Sequence, residues 1–413
     1  MKCIDQLATE LNRPRLTPKF KKAERTLLSV FMRTLELIPE VRAEFLSLCG
    51  YGAGKSCSYS SYMEVTYPST KYPDGRPDGL IACQYGKRNW AAFIEAKAEN
   101  SPIRSDQMQE YAELASMLDV DALISLSNEF ARAPSEPPYN IPNGKRRKRE
   151  IYHFAWAELR TMLELQRVND ALPPVEAAIL DDCLDYFWSS GSGVSAYDQM
   201  PPEWPDFVQS AGVGVGFQTQ TPSITEIVKG WHQERRDIRS KLIHETHKTV
   251  ELRYETGVRA TPDDILKHDR KRLAEDYELA ATFYLKDAKL PVSVLAGLKD
   301  RKITVSLDIS PPDGKGAKAS VTWFAKCAAD FDCSKTSVMF DWPGHGNKVW
   351  MMLEDLKKDP EPAFQGQKSP PKRIRLTRQI HDVRRFKSRK NFVLDAEAAV
   401  LSVVRDAVSA GWT

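Results

Sequence analysis

The run Trp90-Ala91-Ala92-Phe93-Ile94 constrains this chain more than any other stretch. Apolar residues follow one another there without a break, and the turn signal Tyr85-Gly86-Lys87 lies just before them. Such a run fits a strand covered on both faces, so the chain around it is expected to lay helices against a sheet. The run ends in Glu95-Ala96-Lys97. Strand side chains alternate, so Glu95 and Lys97 project from one face and Ala96 from the other.

The neighbouring segments extend this picture. Thr17-Pro18 has the form of a helix start, and Phe20, Leu27, Phe31, Leu35, Ile38 and Phe45 follow at helical spacing, predicting one helix that the glycines of 50–54 end. Strands are predicted over 58–67, 79–85 and 90–96, with Pro73-Asp74-Gly75 as a further turn between the first two. A helix over 106–118, a strand over 122–126 and a fifth strand over 152–156 complete a mixed sheet flanked by helices.

At 413 residues the chain is long for one core, and three segments are expected: 1–168, 169–290 and 291–413. Helical sequence runs from 157 to 188, and 189–222, rich in Gly, Ser and Pro, reads as a linker. Ser223 with Glu226 has a capping-box form. The helix it opens, predicted to reach 255, and a second from Thr261-Pro262 to 285 make a long-helix region with the form of a helical hairpin. The last segment is expected to be α+β, with strands over 303–309, 319–324 and 337–341 and a final helix over 394–410.

Hydrophobic residues make up 42% of the chain and charged residues 28%, a globular composition without the long apolar run that a membrane helix needs. Residues 1–18 lack the apolar core of a secretory signal. Seven scattered cysteines form a poor disulfide framework and suit a reducing compartment, so a cytoplasmic protein without membrane contact is expected. The net charge of +3 decides little, but its distribution is uneven. Lys145-Arg146-Arg147-Lys148-Arg149 is a compact basic run, and 372–390 holds nine Lys or Arg against one Asp. Such runs can neutralise phosphates or simply be solvated.

The residues with chemistry lie between Asp78 and Tyr111. Pro77-Asp78-Gly79 opens one strand and Glu95-Ala96-Lys97 ends the next. On adjacent strands the two carboxylates converge into a hard oxygen site suited to Mg²⁺ or Mn²⁺, and Lys97 beside them can orient or help deprotonate a water. Gln107 and Tyr111 share a face of the following helix. The blander alternative makes Glu95 and Lys97 a surface ion pair, and Gln107 and Tyr111 ordinary helix packing.

This pattern resembles the PD-(D/E)xK nuclease superfamily, the restriction-endonuclease-like fold. Pro77-Asp78 and Glu95-Ala96-Lys97 match its motif, and Gln107-Met108-Gln109-Glu110-Tyr111 is similar to the Q-x-x-x-Y helix of its RecB-like branch. The likeness covers roughly 17–160. It implies an α-β-β-β-α-β core and a Mg²⁺- or Mn²⁺-dependent deoxyribonuclease in which Asp78 and Glu95 hold the metal and Lys97 positions water. An acidic residue on the first helix often joins such a site; Glu24 is the candidate and Glu36 the second choice. DNA is the implied partner, held in part by 145–149 and by Arg384, Arg385 and Lys387. A homo-oligomer is expected, since many nucleases cut two strands with two sites, and the helical or C-terminal region offers a surface for a protein partner. Large nucleases of bacterial anti-phage defence share such layouts. Two alternatives stand beside this: a nucleic-acid-binding or scaffold protein on a fold that no longer cuts, and a C-terminal sensor that restrains the nuclease.

Other patterns carry less. Gly50-Tyr51-Gly52-Ala53-Gly54-Lys55-Ser56 resembles a phosphate-binding loop, but Cys49 stands where that motif needs glycine, and a helix precedes where a strand should, so it reads as a turn. His244 and His247 are three apart, not the four of a zincin helix. Gly212 to Gly216 reads as a hinge. Trp323, Trp342 and Trp350 are expected in the core rather than stacked on bases.

Overall fold

The computed structural model describes residues 12–18, 20–52, 55–67, 76–99, 101–131, 133–141, 149–168, 172–344 and 347–412. The chain divides into two compact units, Met1–Ala196 and Tyr197–Thr413. This differs from the expected boundaries at 168 and 290, because elements on both sides of each share a core or a sheet.

In the first unit, α1 (Ala23–Leu37) and α2 (Pro39–Leu48) replace the single expected helix. Pro39 causes the break: proline has no N–H to donate and forces the residue before it out of the helical region, and Ile38 sits at φ −116°, ψ 100°. Thr17-Pro18 does not cap this helix, which starts at Ala23. The strands β1 (Ser58–Met63), β2 (Gly79–Tyr85) and β3 (Arg88–Ala96) follow. Then come α3 (Ser105–Met117), β4 (Ala122–Ser127), β5 (Glu150–Ala155), α4 (Trp156–Val168) and α5 (Pro174–Trp188).

The sheet order is β1-β2-β3-β4-β5. The first three strands are antiparallel, and β3, β4 and β5 run parallel. Alternation along β3 sends Ala92, Ile94 and Ala96 into a core with Leu27 and Phe31 of α1, Phe45 of α2, Trp156 of α4 and Phe187 of α5. It sends Ala91 and Phe93 into a second core with Leu80 of β2 and Met108, Tyr111 and Leu114 of α3. The strand is covered on both faces, as its unbroken apolar run implies.

The second unit begins with α6 (Trp204–Gly212), α7 (Pro222–Thr246), β6 (Val250–Arg253) and α8 (Pro262–Glu275). It continues through β7 (Glu278–Leu285), β8 (Leu290–Gly297), β9 (Lys302–Ile309), α9 (Ala317–Cys327), β10 (Thr336–Asp341) and β11 (Lys348–Met352). The short helices α10 (Leu353–Lys358) and α11 (Glu361–Phe364) lead to β12 (Arg373–His381), α12 (Val383–Lys387) and α13 (Arg389–Ser409). Its seven strands form one antiparallel sheet, ordered β11-β10-β12-β9-β8-β7-β6.

Several expectations are corrected here. The first long helix stops at Thr246, not 255, and starts behind Thr221 with Pro222 in its first turn, so Ser223 and Glu226 are no capping box. The second stops at Glu275, and 278–285 is a strand whose residues alternate between buried and half-buried. That period of two outweighs the charge-rich helical sequence before it. The two helices therefore flank a sheet strand, β6, and do not stand apart as a separate region. Residues 319–324 lie within helix α9, not in a strand. Trp342 is core, whereas Trp350 is 59% exposed. Among the described residues no helix is long and apolar enough to cross a membrane.

Candidate active site

Register places the two carboxylates. Gly79 pairs with Ile94 across the β2–β3 hairpin, so one step further sets Asp78 opposite Glu95. Both share the face of Leu80 and Phe93, which is the face α3 covers. Gly79 lets the helix on the other face come close: a Cβ there would lie 2.9 Å from the Met32 sulfur of α1. One carboxylate oxygen of Asp78 accepts the Ala96 N–H at 3.0 Å, tying the start of β2 to the end of β3. Lys97 is held at both ends of its backbone. Its N–H donates to Leu126 O at 2.8 Å, and its carbonyl accepts Trp156 Nε1–H at 2.7 Å.

The pair at the strand tip is no surface ion pair. Glu95 is 2% exposed, and its Oε1 accepts a hydrogen bond from Lys97 Nζ. Glu95 Oε2 is buried with no hydrogen-bond partner placed for it among the described residues. Burial, then the charge of Asp78, raises the Glu95 carboxyl to about 7 against the pull of Lys97. Asp78 is raised too, by burial, although the Ala96 N–H and Lys97 pull it down. Burial alone would depress Lys97, but Glu95 and Asp78 hold it above its ordinary value, so it stays an ammonium. Two carboxylates facing one lysine in a dry site leave negative charge uncompensated once both ionise.

The other expected site residues are placed as follows. Glu24, in the first turn of α1, is near enough to act electrostatically on both Asp78 and Lys97. Glu36 is engaged elsewhere, with Arg13 at 3.0 Å and the Ser61 hydroxyl at 2.9 Å. Burial, then the charges of Glu95 and Asp78, raise the Tyr111 phenol. Gln107 Nε2 donates to Tyr111 Oη at 3.0 Å, and the Tyr111 hydroxyl donates to Arg76 O at 3.1 Å, two residues ahead of Asp78. Tyr111→Phe is expected to lower the thermal stability of the first unit by about 1–2 kcal/mol through loss of this buried bond. A calorimetric scan showing no change would remove the bond from the account.

Lys145, Arg146, Arg147 and Lys148 lie outside the described residues. Arg149 is described and lies 3.6 Å from Asp119. Arg384, Arg385 and Lys387 belong to the second unit, where Arg385 is bonded to Asp395 and Lys387 to Gln209.

Sequence reasoning missed two features beside the carboxylates. Glu64, just after β1, accepts ion pairs from Arg25 at 2.9 Å and Arg76 at 3.2 Å, and its N–H donates to Asp78 O at 2.8 Å. These residues are far apart in sequence, and only the pairing of β1 with β2 brings them together. Ser125, opposite Glu95 in register, bonds His153 Nδ1 at 2.8 Å and the Tyr139 hydroxyl at 2.7 Å. His153 Nε2 meets Glu129 O at 2.7 Å, which makes it the protonated nitrogen and Nδ1 the acceptor. Ser125 and His153 are fully buried, and burial lowers the imidazole to about 4, so this is a neutral structural network and not a nucleophile with its base.

Among the described residues, no group of three or more His, Cys, Asp or Glu side chains is arranged to hold a metal ion. No family model, curated protein or solved structure matches the chain.

Proposed function

We propose that the first unit is a metal-dependent nuclease of the PD-(D/E)xK type that hydrolyses phosphodiester bonds in DNA. The observation that carries it is the convergence of Asp78, Glu95 and Lys97 at one sheet end, with Glu95 buried and one of its oxygens unpartnered. The element order α-β-β-β-α-β and the change from antiparallel to parallel pairing at β3 support a restriction-endonuclease-like core.

Asp78 and Glu95 would hold Mg²⁺ or Mn²⁺. Mg²⁺ commonly takes one or two protein carboxylates and fills its remaining positions with water and substrate phosphate. A two-carboxylate set with an unpartnered oxygen fits that habit. When bound, such an ion lowers the pKa of a water and neutralises charge on the scissile phosphate. The chain's own residues do the rest. Lys97, kept as an ammonium by its neighbours, donates hydrogen bonds that orient a water beside the phosphate. Glu95 holds Lys97 in place. Tyr111 and Gln107 fix the backbone that leads into Asp78. Arg25 and Arg76, both paired with Glu64, supply positive charge next to Asp78 for flanking phosphates.

Cleavage of plasmid and linear DNA in Mg²⁺ or Mn²⁺ tests this. Asp78→Ala and Glu95→Ala, each confirmed folded by circular dichroism, are expected to lose about a thousandfold or more in rate, since the metal's electrostatic contribution is worth several kcal/mol. Equal cutting by all three proteins would sink the assignment. Silence of all three, with DNA retained in a binding assay, would replace it with a binding module on the same fold.

A further inference from the structure

Gly50, Tyr51, Gly52, Lys55 and Ser56, from the stretch that fails as a phosphate loop by its own motif, line a cavity of ≈ 670 Å³ at the far end of the β2–β3 hairpin. Asp78 opens β2 and Tyr85 closes it, so this cavity lies roughly 23 Å from the carboxylates at about 3.3 Å per residue. It is a separate place in the same unit.

Its lining is unusual for a surface hollow. Tyr51 and Tyr85 present aromatic rings, and Lys55 and Arg88 present cations. Tyr51 is backed by Trp90, stacked on it at 5.5 Å and 28°, so its ring is a fixed platform. Tyr85 is half exposed at the hairpin end. Gly50, at φ +75°, ends α2, and its N–H and those of Cys49 and Tyr51 bond the carbonyls of Leu46 and Ser47. The helix end is thereby capped. Lys55 shares its charge with Glu40 at 3.1 Å, whereas Arg88 has no ion pair among the described residues. Arg88 is the stronger anion ligand of the two.

We infer that this cavity binds a nucleoside phosphate unit, its base stacked against the tyrosines and its phosphate met by Arg88 and Lys55. Volume, rings and cations all match that ligand. Pockets of about 300–1,000 Å³ take ligands of that size, a base stacks on any aromatic face, and a guanidinium grips phosphate through paired N–H donors. The unit has two sources, a free nucleotide or the end of a nucleic-acid strand. The proposal does not rest on the nuclease assignment and holds whether or not the carboxylate site cuts.

Titration calorimetry of the full chain without divalent metal tests it, with AMP, ATP, inorganic phosphate and a short 5′-phosphorylated single-stranded oligonucleotide as probes. Expected is saturable binding of AMP or ATP, or of the oligonucleotide, that is stronger than binding of phosphate alone. Arg88→Ala and Tyr85→Ala, both at exposed positions, are each expected to weaken it by about tenfold. Binding of AMP or ATP identifies the free nucleotide as the source, and binding of the oligonucleotide alone identifies a strand end. Phosphate binding as strongly as AMP and the oligonucleotide, no saturable binding of any probe, or full binding in both variants would overturn the proposal. The readout is binding without divalent metal and not cleavage, so a failure of the nuclease reading leaves this result separately legible.

Discussion

Lys97→Met is expected to reduce DNA cleavage by about 10²–10⁴-fold, the usual contribution of a positioned proton-handling or water-orienting group. Methionine keeps most of the side-chain volume, and the backbone of residue 97 stays anchored by Leu126 and Trp156. The protein should therefore fold, while Glu95 loses the ammonium that donates to its Oε1. Glu95 already sits at about 7 through burial and the nearby Asp78. Without Lys97 it moves further up. The sign of the pH effect follows. A carboxyl raised above its unfolded value favours the folded state fully below that unfolded value, and the advantage is lost as pH rises through the folded value. Metal-free Lys97→Met should thus lose thermal stability between pH 6 and 8.5 more steeply than the wild type. Cleavage within about threefold of wild type would exclude the water-orienting role; unchanged pH dependence of the melting point would exclude the electrostatic one.

The second large effect belongs to the other unit. Glu234→Leu is expected to stabilise it by about 1–4 kcal/mol at pH 8. Glu234 on α7 is fully buried, and neither carboxylate oxygen has a hydrogen-bond partner among the described residues. Asp237 and Lys241 of the same helix, Glu397 of α13 and Tyr197 act on it or on its neighbours. Lys241 is already bonded to Asp237 at 2.8 Å and to Glu397. One ammonium thus faces three carboxylates, and burial followed by the charges of Glu397 and Asp237 pushes Glu234 well above its ordinary range. Glu397 is raised to about 7, by burial, in spite of Lys241. Both shifts are upward, so the contribution of these two carboxyls to stability is fully present in acid and is lost as pH climbs through 7 and beyond. Leucine removes the Glu234 part of that slope. Chemical denaturation at pH 5, 7 and 9 measures it, and a variant less stable than wild type at pH 9 would show that the buried acid is held by contacts worth more than its desolvation.

The first unit was largely legible in the sequence because its key strand is buried on both faces. The run from Trp90 to Ile94 leaves few alternatives to a central strand, and alternation then orders Glu95 and Lys97 without further information. The break between α1 and α2 was equally readable in principle, since Pro39 carries its own stop signal, but the apolar spacing continues across it and masks it. The second unit was harder. Glu278–Leu285 follows a charged helical segment directly, and its pattern of two extends over only one strand length. Arg373–His381 reads as a basic patch, yet it lies between β10 and β9, with Arg375 paired to Asp308 and Arg378 buried against Asp406. Charge density there reflects ion pairs to a neighbouring strand and to α13, which no local window contains. The same holds for Glu64 with Arg25 and Arg76, and for Ser125 with His153.

The change of direction at β3 has a consequence for how the candidate site comes into being. The β2–β3 hairpin is local, needs only a short turn, and can form early. It sets Asp78 against Glu95 but supplies no wall around them. Ser125 and the Leu126 carbonyl arrive only with β4, whose parallel pairing requires the α3 crossover that also carries Tyr111. Closing that longer loop costs more chain entropy before its contacts form. A nascent chain that has made only the hairpin therefore holds two solvated acids of ordinary character. Their burial, and with it the electrostatic strain at Glu95, is a product of a less local step, so the chemistry of the pair is a marker of the β3–β4 crossover and not of the hairpin that positions it.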